Sequence, residues 1–189
     1  MVYFEVVPQG DSEISLAATH KNAHVKQCAC QSCFALLPQY GGAAIDLALD
    51  WDGYPNHSVL LLHYTVPVAV VKLPLAQRLA AILGRHSVGR VELIHAGHES
   101  EYGSLALSAN LRCELHSEDA ACFSRCPVCN RQLGAPAIDE EQWLDAKEVA
   151  GRHIVTPPHG SRLIVSAEFL ESLGQLDRSG LQLEAVCVK

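Results

Sequence analysis

Apolar residues fall mainly in short runs separated by Gly, Pro and polar residues, a pattern typical of strands. The runs rich in Val, Ile and Leu predict strands at residues 2–7, 59–71, 90–95, 105–115, 161–165 and 181–188. Pro67 marks a break or an edge in the second run, which predicts one or two strands. Gly97 and Gly103 lie between the third and fourth runs and predict the connection of a strand pair.

Helical patterns are fewer, and they occupy residues 74–83, 139–149 and 167–173. The first has proline at its start and Gly84 directly after its end, as many helices do. Asp139 and the three residues that follow resemble a capping box, and Ser166 is a suitable N-cap for the last segment. Strands and helices do not alternate regularly along the chain, so the pattern predicts an α+β fold.

The composition is globular and its charge balance is acidic. Apolar residues make up 49% of the 189 residues and charged residues 19%, which allows a buried core without crosslinks. The formal net charge of −7 argues against nucleic-acid binding, because that affinity comes largely from basic residues that neutralise phosphates. Residues 98–148 hold most of the acidic excess, and they predict either a solvated acidic surface or a contact for a basic partner.

The sequence does not predict secretion or membrane insertion. Residues 1–8 lack the basic region and the continuous apolar region of a signal peptide. The longest apolar run, residues 59–75, is interrupted by His63, Pro67, Lys72 and Pro74 and is too short to span a bilayer. We therefore expect a soluble cytoplasmic protein without membrane contact, in which the eight cysteines stay reduced.

The strongest chemical pattern is a repeated pair of cysteines, Cys30 with Cys33 and Cys126 with Cys129. Each Cys-x-x-Cys turn places two thiolates on one side of a tight loop, and two such turns supply the four ligands of a tetrahedral zinc ion. Four protein ligands leave no open position, so the predicted zinc is structural, with one ion per chain. Residues 34–125 separate the pairs, so the pattern predicts a split zinc ribbon that carries a long insert.

The residues leave other interpretations of these cysteines open. The Cys126-Pro-Val-Cys129 turn also suits a redox dithiol, and both pairs could instead be unliganded thiols of the core. Four further residues near the pairs are alternative zinc ligands: Cys28, Cys122, His20 and His24. Cys113 and Cys187 lie in predicted strands, and we expect them in the core.

The sequence carries no motif that predicts catalysis. His95, His98 and Glu99 have a spacing seen in metal sites, but Gly97 prevents them from sharing one face of a helix. The chain also lacks the Gly-x-Ser-x-Gly pattern of a serine nucleophile and the Gly-Lys-Ser/Thr pattern of a phosphate-binding loop. Nothing in these motifs points to an enzyme, and we predict no catalytic residues.

Six segments, taken in order, match a known family. They are Ala18-Thr-His-Lys21, Cys30-Gln-Ser-Cys33, Leu115-His116, Arg125-Cys-Pro-Val-Cys-Asn-Arg131, Trp143-Leu-Asp-Ala146 and residues 163–173. With them the chain resembles the double-CXXCG motif family of bacterial cytoplasmic proteins, which includes swarming-inhibition immunity proteins of polymorphic toxin systems. The resemblance covers most of the chain and is poorest across residues 41–90. Phe34 and Asn130 stand where the family has glycine after each pair, and Asn adopts a left-handed backbone more readily than Phe does.

The resemblance implies that Cys30, Cys33, Cys126 and Cys129 are zinc ligands. It also implies an immunity protein, which binds and neutralises a cognate toxin domain inside the producing cell. We predict one domain over residues 1–189, with ribbon halves near 26–40 and 120–134, an insert at 41–119 and a C-terminal strand–helix–strand unit at 135–189. The alternatives are a zinc-stabilised module for another protein partner and a redox or hydrolytic enzyme.

Overall fold

The computed structural model describes residues 1–7, 15–16, 22–33, 36–50, 59–61, 68–94, 100–107, 111–118, 124–130, 132–133, 141–157, 163–173 and 182–189. The strands within these ranges are β1 (Tyr3–Val7), β2 (Ser15–Leu16), β3 (Leu47–Asp50), β4 (Val59–Leu61), β5 (Val68–Lys72), β6 (Val88–Leu93), β7 (Tyr102–Ala106), β8 (Leu115–His116), β9 (Ser124–Arg125), β10 (Gln132–Leu133), β11 (Trp143–Leu144), β12 (Ile154–Val155), β13 (Leu163–Ser166) and β14 (Gln182–Val188). The helices are α1 (Ala23–Cys28), α2 (Leu73–Leu83), α3 (Ala146–Val149) and α4 (Ala167–Leu173), with a 3₁₀ turn at Pro38–Tyr40. The fold is α+β, as the sequence predicts.

The strands form two six-stranded sheets and a separate hairpin. Sheet I has the order β12-β13-β1-β14-β11-β8, and sheet II has the order β2-β3-β6-β7-β5-β4. The pairing is antiparallel except between β11 and β14 in sheet I and between β3 and β6 in sheet II. Among the described strands, β9 and β10 pair only with each other, and this hairpin carries the second cysteine pair.

Three apolar clusters alternate with the two sheets, because successive side chains of a strand point to opposite faces. Cluster 1 covers one face of sheet II and includes Val25 and Cys28 of α1. Cluster 2 joins the other face of sheet II to sheet I and includes residues of α2 and α4. Cluster 3 covers the remaining face of sheet I and includes Cys113 and Val149 of α3. The two sheets therefore share cluster 2, which lies between them.

Helix α2 shows how the sequence produces cluster 2. Leu75, Ala76, Leu79 and Ala80 are buried, and their spacing places them on one side of the helix. Pro74 lies in the first turn, and Gly84 ends the helix with a φ of 72°, which favours glycine. The prediction of this helix is confirmed, and truncating Leu79 to Ala would cost about 2–5 kcal/mol of stability.

The prediction of one helix over residues 139–149 is confirmed only for its last turn, at Ala146–Val149, and is wrong for residues 141–145. Trp143 and Leu144 form β11, and α3 begins only at Ala146. Leu144 has no exposed surface and pairs with both neighbouring strands, so burial in the sheet outweighs a helical pattern. The cap is Asp145, whose carboxylate accepts a hydrogen bond from the Lys147 amide, and Asp139 lies outside the described residues.

The strand predicted at residues 105–115 begins and ends earlier in the chain than expected. β7 runs over Tyr102–Ala106, so Gly103 lies within a strand and not in the connection. A Cβ at Gly103 would lie 2.5 Å from Cγ1 of Val88, so glycine permits close packing there. Gly97 lies outside the described residues. None of the helices in the described ranges has the length and hydropathy needed to cross a membrane.

Candidate metal centre

The first cysteine pair lies in a narrow loop that follows α1. The helix ends at Cys28, and Ala29 then forms an antiparallel bridge with Leu36. The amide of Leu37 donates a hydrogen bond to the carbonyl oxygen of Cys28, at 2.8 Å. Because α1 is anchored in cluster 1, this loop presents Cys30 and Cys33 from the side of sheet II.

The first loop is held near sheet I by Arg112, which precedes the cluster 3 residue Cys113. Nη2 of Arg112 donates a hydrogen bond to the carbonyl oxygen of Leu36, at 2.9 Å. Asn22 ties the start of α1 to sheet II, since its buried side-chain amide exchanges two hydrogen bonds with the backbone of Ala48. The first loop is therefore braced from both sheets.

The second pair lies in the turn of the β9–β10 hairpin. Arg125 pairs with Gln132 across the hairpin, and the amide of Asn130 donates to the carbonyl oxygen of Cys126 at 2.9 Å. Asn130 has a φ of 57°, and no other non-glycine residue in the described ranges has a positive φ. Asn is the non-glycine residue that tolerates this conformation best, so the expectation for position 130 is confirmed. Phe34, the other departure from glycine, lies outside the described residues.

The two turns meet so that all four sulfur atoms lie within 4.8 Å of one another. Sγ of Cys30 is 3.8 Å from Sγ of Cys126, and Sγ of Cys33 is 3.4 Å from Sγ of Cys129. Zinc–sulfur bonds of about 2.3 Å in a tetrahedron place the sulfurs about 3.8 Å apart, whereas a disulfide needs about 2.05 Å. The spacing therefore fits four ligands of one metal ion, and these thiols are not crosslinked.

Backbone amides favour negative charge on the sulfurs of Cys30 and Cys126. The amides of Cys33 and Ser32 donate hydrogen bonds to the Cys30 sulfur and lower the pKa of this thiol. In the second turn the amide of Cys129, and after it that of Val128, lower the pKa of Cys126 to about 6, although burial opposes the shift. Thiolates are the form of cysteine that binds zinc, so this environment suits a metal ligand.

The alternative ligand Cys28 lies outside the group of four. It is buried, and its Sγ donates to the carbonyl oxygen of His24 at 3.4 Å. Burial raises the pKa of Cys28, which keeps it a thiol at neutral pH. His24 is exposed on α1, and the structure does not place it with the four cysteines. The other proposed ligands and the weak histidine motif lie outside the described residues: Cys122, His20, His95 and His98.

The two remaining cysteines differ from each other. Cys113 is buried as expected, and its Sγ donates a hydrogen bond to Oε2 of Glu148 at 3.2 Å. Burial, together with this carboxylate, raises the pKa of Cys113 to about 12. Cys187 is only half-buried on β14, so it lies at the margin of the core and not inside it.

Much of the acidic segment has partners within the chain. Oε1 of Glu114 forms an ion pair with Arg125 at 2.7 Å, and Glu141 lies 3.4 Å from Nζ of Lys189. Asp145 caps α3, and Glu148 accepts hydrogen bonds from the Cys113 thiol and the Glu114 amide. These carboxylates therefore stabilise the fold. The sequence did not reveal this role, because their partners are distant in the sequence or belong to the backbone.

One group resembles the side chains of a catalytic triad but has a different geometry. Nδ1 of His153 lies 3.0 Å from Oγ of Ser166 and 3.9 Å from the carboxylate of Glu168. A triad uses opposite ring nitrogens for the hydroxyl and the acid, whereas here both groups approach Nδ1. Ser166 has no exposed surface, and its Oγ accepts a hydrogen bond from the Phe169 amide. The group therefore caps α4.

A comparison of the chain with models of known protein families finds no match, and a comparison with curated proteins finds none either. The resemblance to the double-CXXCG motif family thus depends on the segments quoted above. The candidate metal centre depends on the geometry of the four sulfurs.

Proposed function

We propose that Cys30, Cys33, Cys126 and Cys129 hold one structural zinc ion. The observation that carries the proposal is the meeting of four thiol sulfurs within 4.8 Å, two from each end of a long insert. Amide hydrogen bonds to Cys30 and Cys126 favour the thiolate form that zinc needs. Four thiolates complete a tetrahedral zinc ion and leave no position for a substrate, which favours a structural role over a catalytic one.

In this proposal the zinc joins the halves of a split zinc ribbon. The first half is anchored in cluster 1 by α1, and the second contacts residues next to cluster 3 through the Arg125–Glu114 ion pair. Neither loop has an apolar core of its own in the described residues, so a metal is an effective way to hold them together. Zinc at such sites supplies on the order of 10–16 kcal/mol of apparent binding free energy in small zinc-finger peptides.

Metal analysis tests this first step. Protein purified under reducing conditions should contain one equivalent of zinc, and Cys126→Ser should contain well under one equivalent. The matched control is Cys187→Ser, which removes a half-buried thiol on β14 and should leave the zinc content unchanged. Wild-type protein with well under one equivalent of zinc after zinc supplementation would contradict the proposed site.

We further propose that the protein binds and neutralises a cognate toxin domain in the cytoplasm, as an immunity protein. The resemblance to the double-CXXCG family supports this function, and so does a ligand set that leaves the zinc no catalytic position. The net charge of −7 suits a basic partner, because opposite charges accelerate association. The zinc then maintains the shape of the binding protein without contributing chemistry.

Co-expression tests the immunity function. The neighbouring open reading frame is expressed alone and together with this chain, and growth is measured. Toxicity that this chain relieves is the expected result, with rescue retained in Cys187→Ser and reduced in Cys126→Ser. Toxicity without rescue, or a neighbour that is not toxic, would instead favour a zinc-stabilised module for another protein partner.

A further inference from the structure

The metal centre has an inner side and an outer side. Cys30 and Cys126 are each only 2% exposed, whereas Cys33 and Cys129 are partly exposed. One outer and one inner sulfur therefore come from each loop. A small solute that diffuses from solvent reaches the outer two sulfurs first.

The loop residues around the outer sulfurs leave this side open. Gln31 and Ser32 are exposed beside Cys33, and Pro127 and Val128 are exposed beside Cys129. Val128 is the most exposed of the large apolar residues in the described ranges, at 69%. Among the described residues of the two turns, these neighbours thus leave Cys33 and Cys129 accessible.

The outer sulfurs are also placed to react with each other across the two loops. Their separation of 3.4 Å is shorter than the 3.8 Å between the inner sulfurs. Contraction to a disulfide length of about 2.05 Å requires a movement of little more than 1 Å. The two partly exposed thiols, one from each half of the chain, are therefore close enough to react with each other.

We propose that Cys33 and Cys129 form a peroxide-sensitive site, at which oxidation links the two loops by a disulfide and releases the zinc. This inference rests on the structural zinc proposed above. Hydrogen peroxide, or another small hydroperoxide, is the oxidant. The disulfide then replaces the metal as the link between the two loops.

The reaction balances with one peroxide for each disulfide. The thiolate of Cys33 or Cys129 attacks the peroxide, so that the O–O bond breaks, an S–O bond forms and the leaving oxygen departs as water after protonation. The second thiolate then attacks the sulfenic sulfur, which forms the S–S bond and releases the second oxygen as water. Two thiolates and two protons reduce one peroxide to two waters, and the zinc leaves because it has lost two of four ligands.

Peptide mapping can locate the disulfide because trypsin separates the two loops. Cleavage after Lys26 and Lys72 yields one peptide with the first pair, and cleavage after Arg125 and Arg131 yields another with the second pair. A disulfide between the loops joins these peptides, whereas a disulfide within either pair does not. Fragmentation of the joined peptides then identifies the linked cysteines.

Zinc-loaded full-length protein, freed of reductant, is treated with one equivalent of hydrogen peroxide. A chromogenic zinc indicator follows the released metal, and the non-reduced digest is analysed by mass spectrometry. We expect about one zinc ion released for each disulfide, with Cys33–Cys129 as the main crosslink. Cys187→Ser, which lacks a half-buried thiol outside the centre, should give the same yields.

A main disulfide within either pair would overturn the inference, and so would zinc that stays bound at a tenfold excess of peroxide. A chain that binds no zinc before oxidation contradicts the proposed function instead. Metal-free protein is therefore oxidised in parallel, because the Cys33–Cys129 crosslink is expected there from the placement of the sulfurs alone. The two failures are thus distinguishable.

Discussion

Nη2 of Arg112 and the carbonyl oxygen of Leu36 lie 2.9 Å apart, which joins the segment before β8 to the loop of the first cysteine pair. Two residues later, Glu114 pairs with Arg125 of the second hairpin at 2.7 Å. One short segment therefore contacts both halves of the proposed zinc centre. It positions the ligands before a metal binds, which reduces the ordering needed for binding.

Replacing Arg112 by Met should weaken this support. A hydrogen bond from a charged donor contributes about 1.5–3 kcal/mol, so we expect roughly tenfold or greater weakening of zinc binding, measured by competition with a chelator. The matched control is Arg78→Met, because Nη2 of Arg78 also donates to a backbone carbonyl, that of Ser172, far from the centre. Equal zinc affinities in the two variants would contradict a supporting role for Arg112.

The turn at Asn130 yields a second prediction. Its φ of 57° is unfavourable for β-branched residues, so Asn130→Val should lose about 1–2 kcal/mol of stability and bind zinc more weakly. Asn130→Gly should retain both properties, since glycine adopts this backbone without strain. Urea denaturation and chelator competition measure the two effects. A valine variant that equals the wild type would mean that the turn relaxes to another conformation.

The identity of the ligands can be tested against the shifted alternative that includes Cys28. Cys28→Ala should still bind one zinc ion, because this thiol lies in cluster 1 and donates to His24 instead of facing the centre. Cys30→Ala should lose most of the metal. The two residues are both buried and close in sequence, so each variant is a control for the other. Loss of zinc in Cys28→Ala alone would assign the site to the other set of cysteines.

Local patterns were sufficient to predict much of the secondary structure. β1, β13 and β14 follow runs of apolar residues, and Ser166 caps α4 as expected, with Oγ accepting the Phe169 amide. The spacing of the cysteine pairs predicted which sulfurs could meet, because two Cys-x-x-Cys turns supply the four ligands of one tetrahedral metal site. The strand and cap predictions succeed because their determining interactions lie within a few residues. The cysteine prediction succeeds for another reason, because each turn supplies half of one tetrahedral ligand set.

The remaining features depend on contacts between distant residues. Trp143 and Leu144 become β11 because they fit between β8 and β14, and nothing within their own segment reveals those neighbours. The order of strands in sheet I likewise brings residues 3–7 beside residues 163–166 and 182–188. The exposure difference between the inner and outer cysteines depends on the fold around each loop. Sequence periodicity does not encode such long-range placement directly.

Alkaline pH should destabilise the protein. Burial raises the pKa of Cys113 from 9.0 to about 12, and burial also raises the pKa values of Tyr102 and Tyr3. Above pH 9 the unfolded chain loses the Cys113 proton while the folded chain keeps it, so the unfolded state binds fewer protons and stability falls as pH rises. Below pH 9 this contribution is fully present.

The measurement is the urea midpoint between pH 8 and 10.5, which should change little up to about pH 9 and fall steadily above it. Cys113→Ala should lower stability at pH 8 but show a shallower decline above pH 9 than the wild type. Cys187→Ala provides the comparison, because it removes a thiol at the margin of the core. A decline that is just as steep in Cys113→Ala would assign the alkaline sensitivity to the buried tyrosines.

Removal of zinc should loosen the two cysteine loops more than the centre of the molecule. α2 packs in cluster 2, which contains neither cysteine pair and includes residues of both sheets. Hydrogen exchange with and without a strong chelator should therefore show loss of protection at residues 29–33, 36–37, 124–130 and 132–133, while the amides of α2 stay protected. The free energy of global unfolding should also rise, by about 2.7 kcal/mol when free zinc is restored to 100 times its dissociation constant.

Cys187→Ser should respond to the chelator like the wild type, and Cys126→Ser should not respond. Equal loss of protection in α2 would mean that the metal holds the entire fold and not only its two loops.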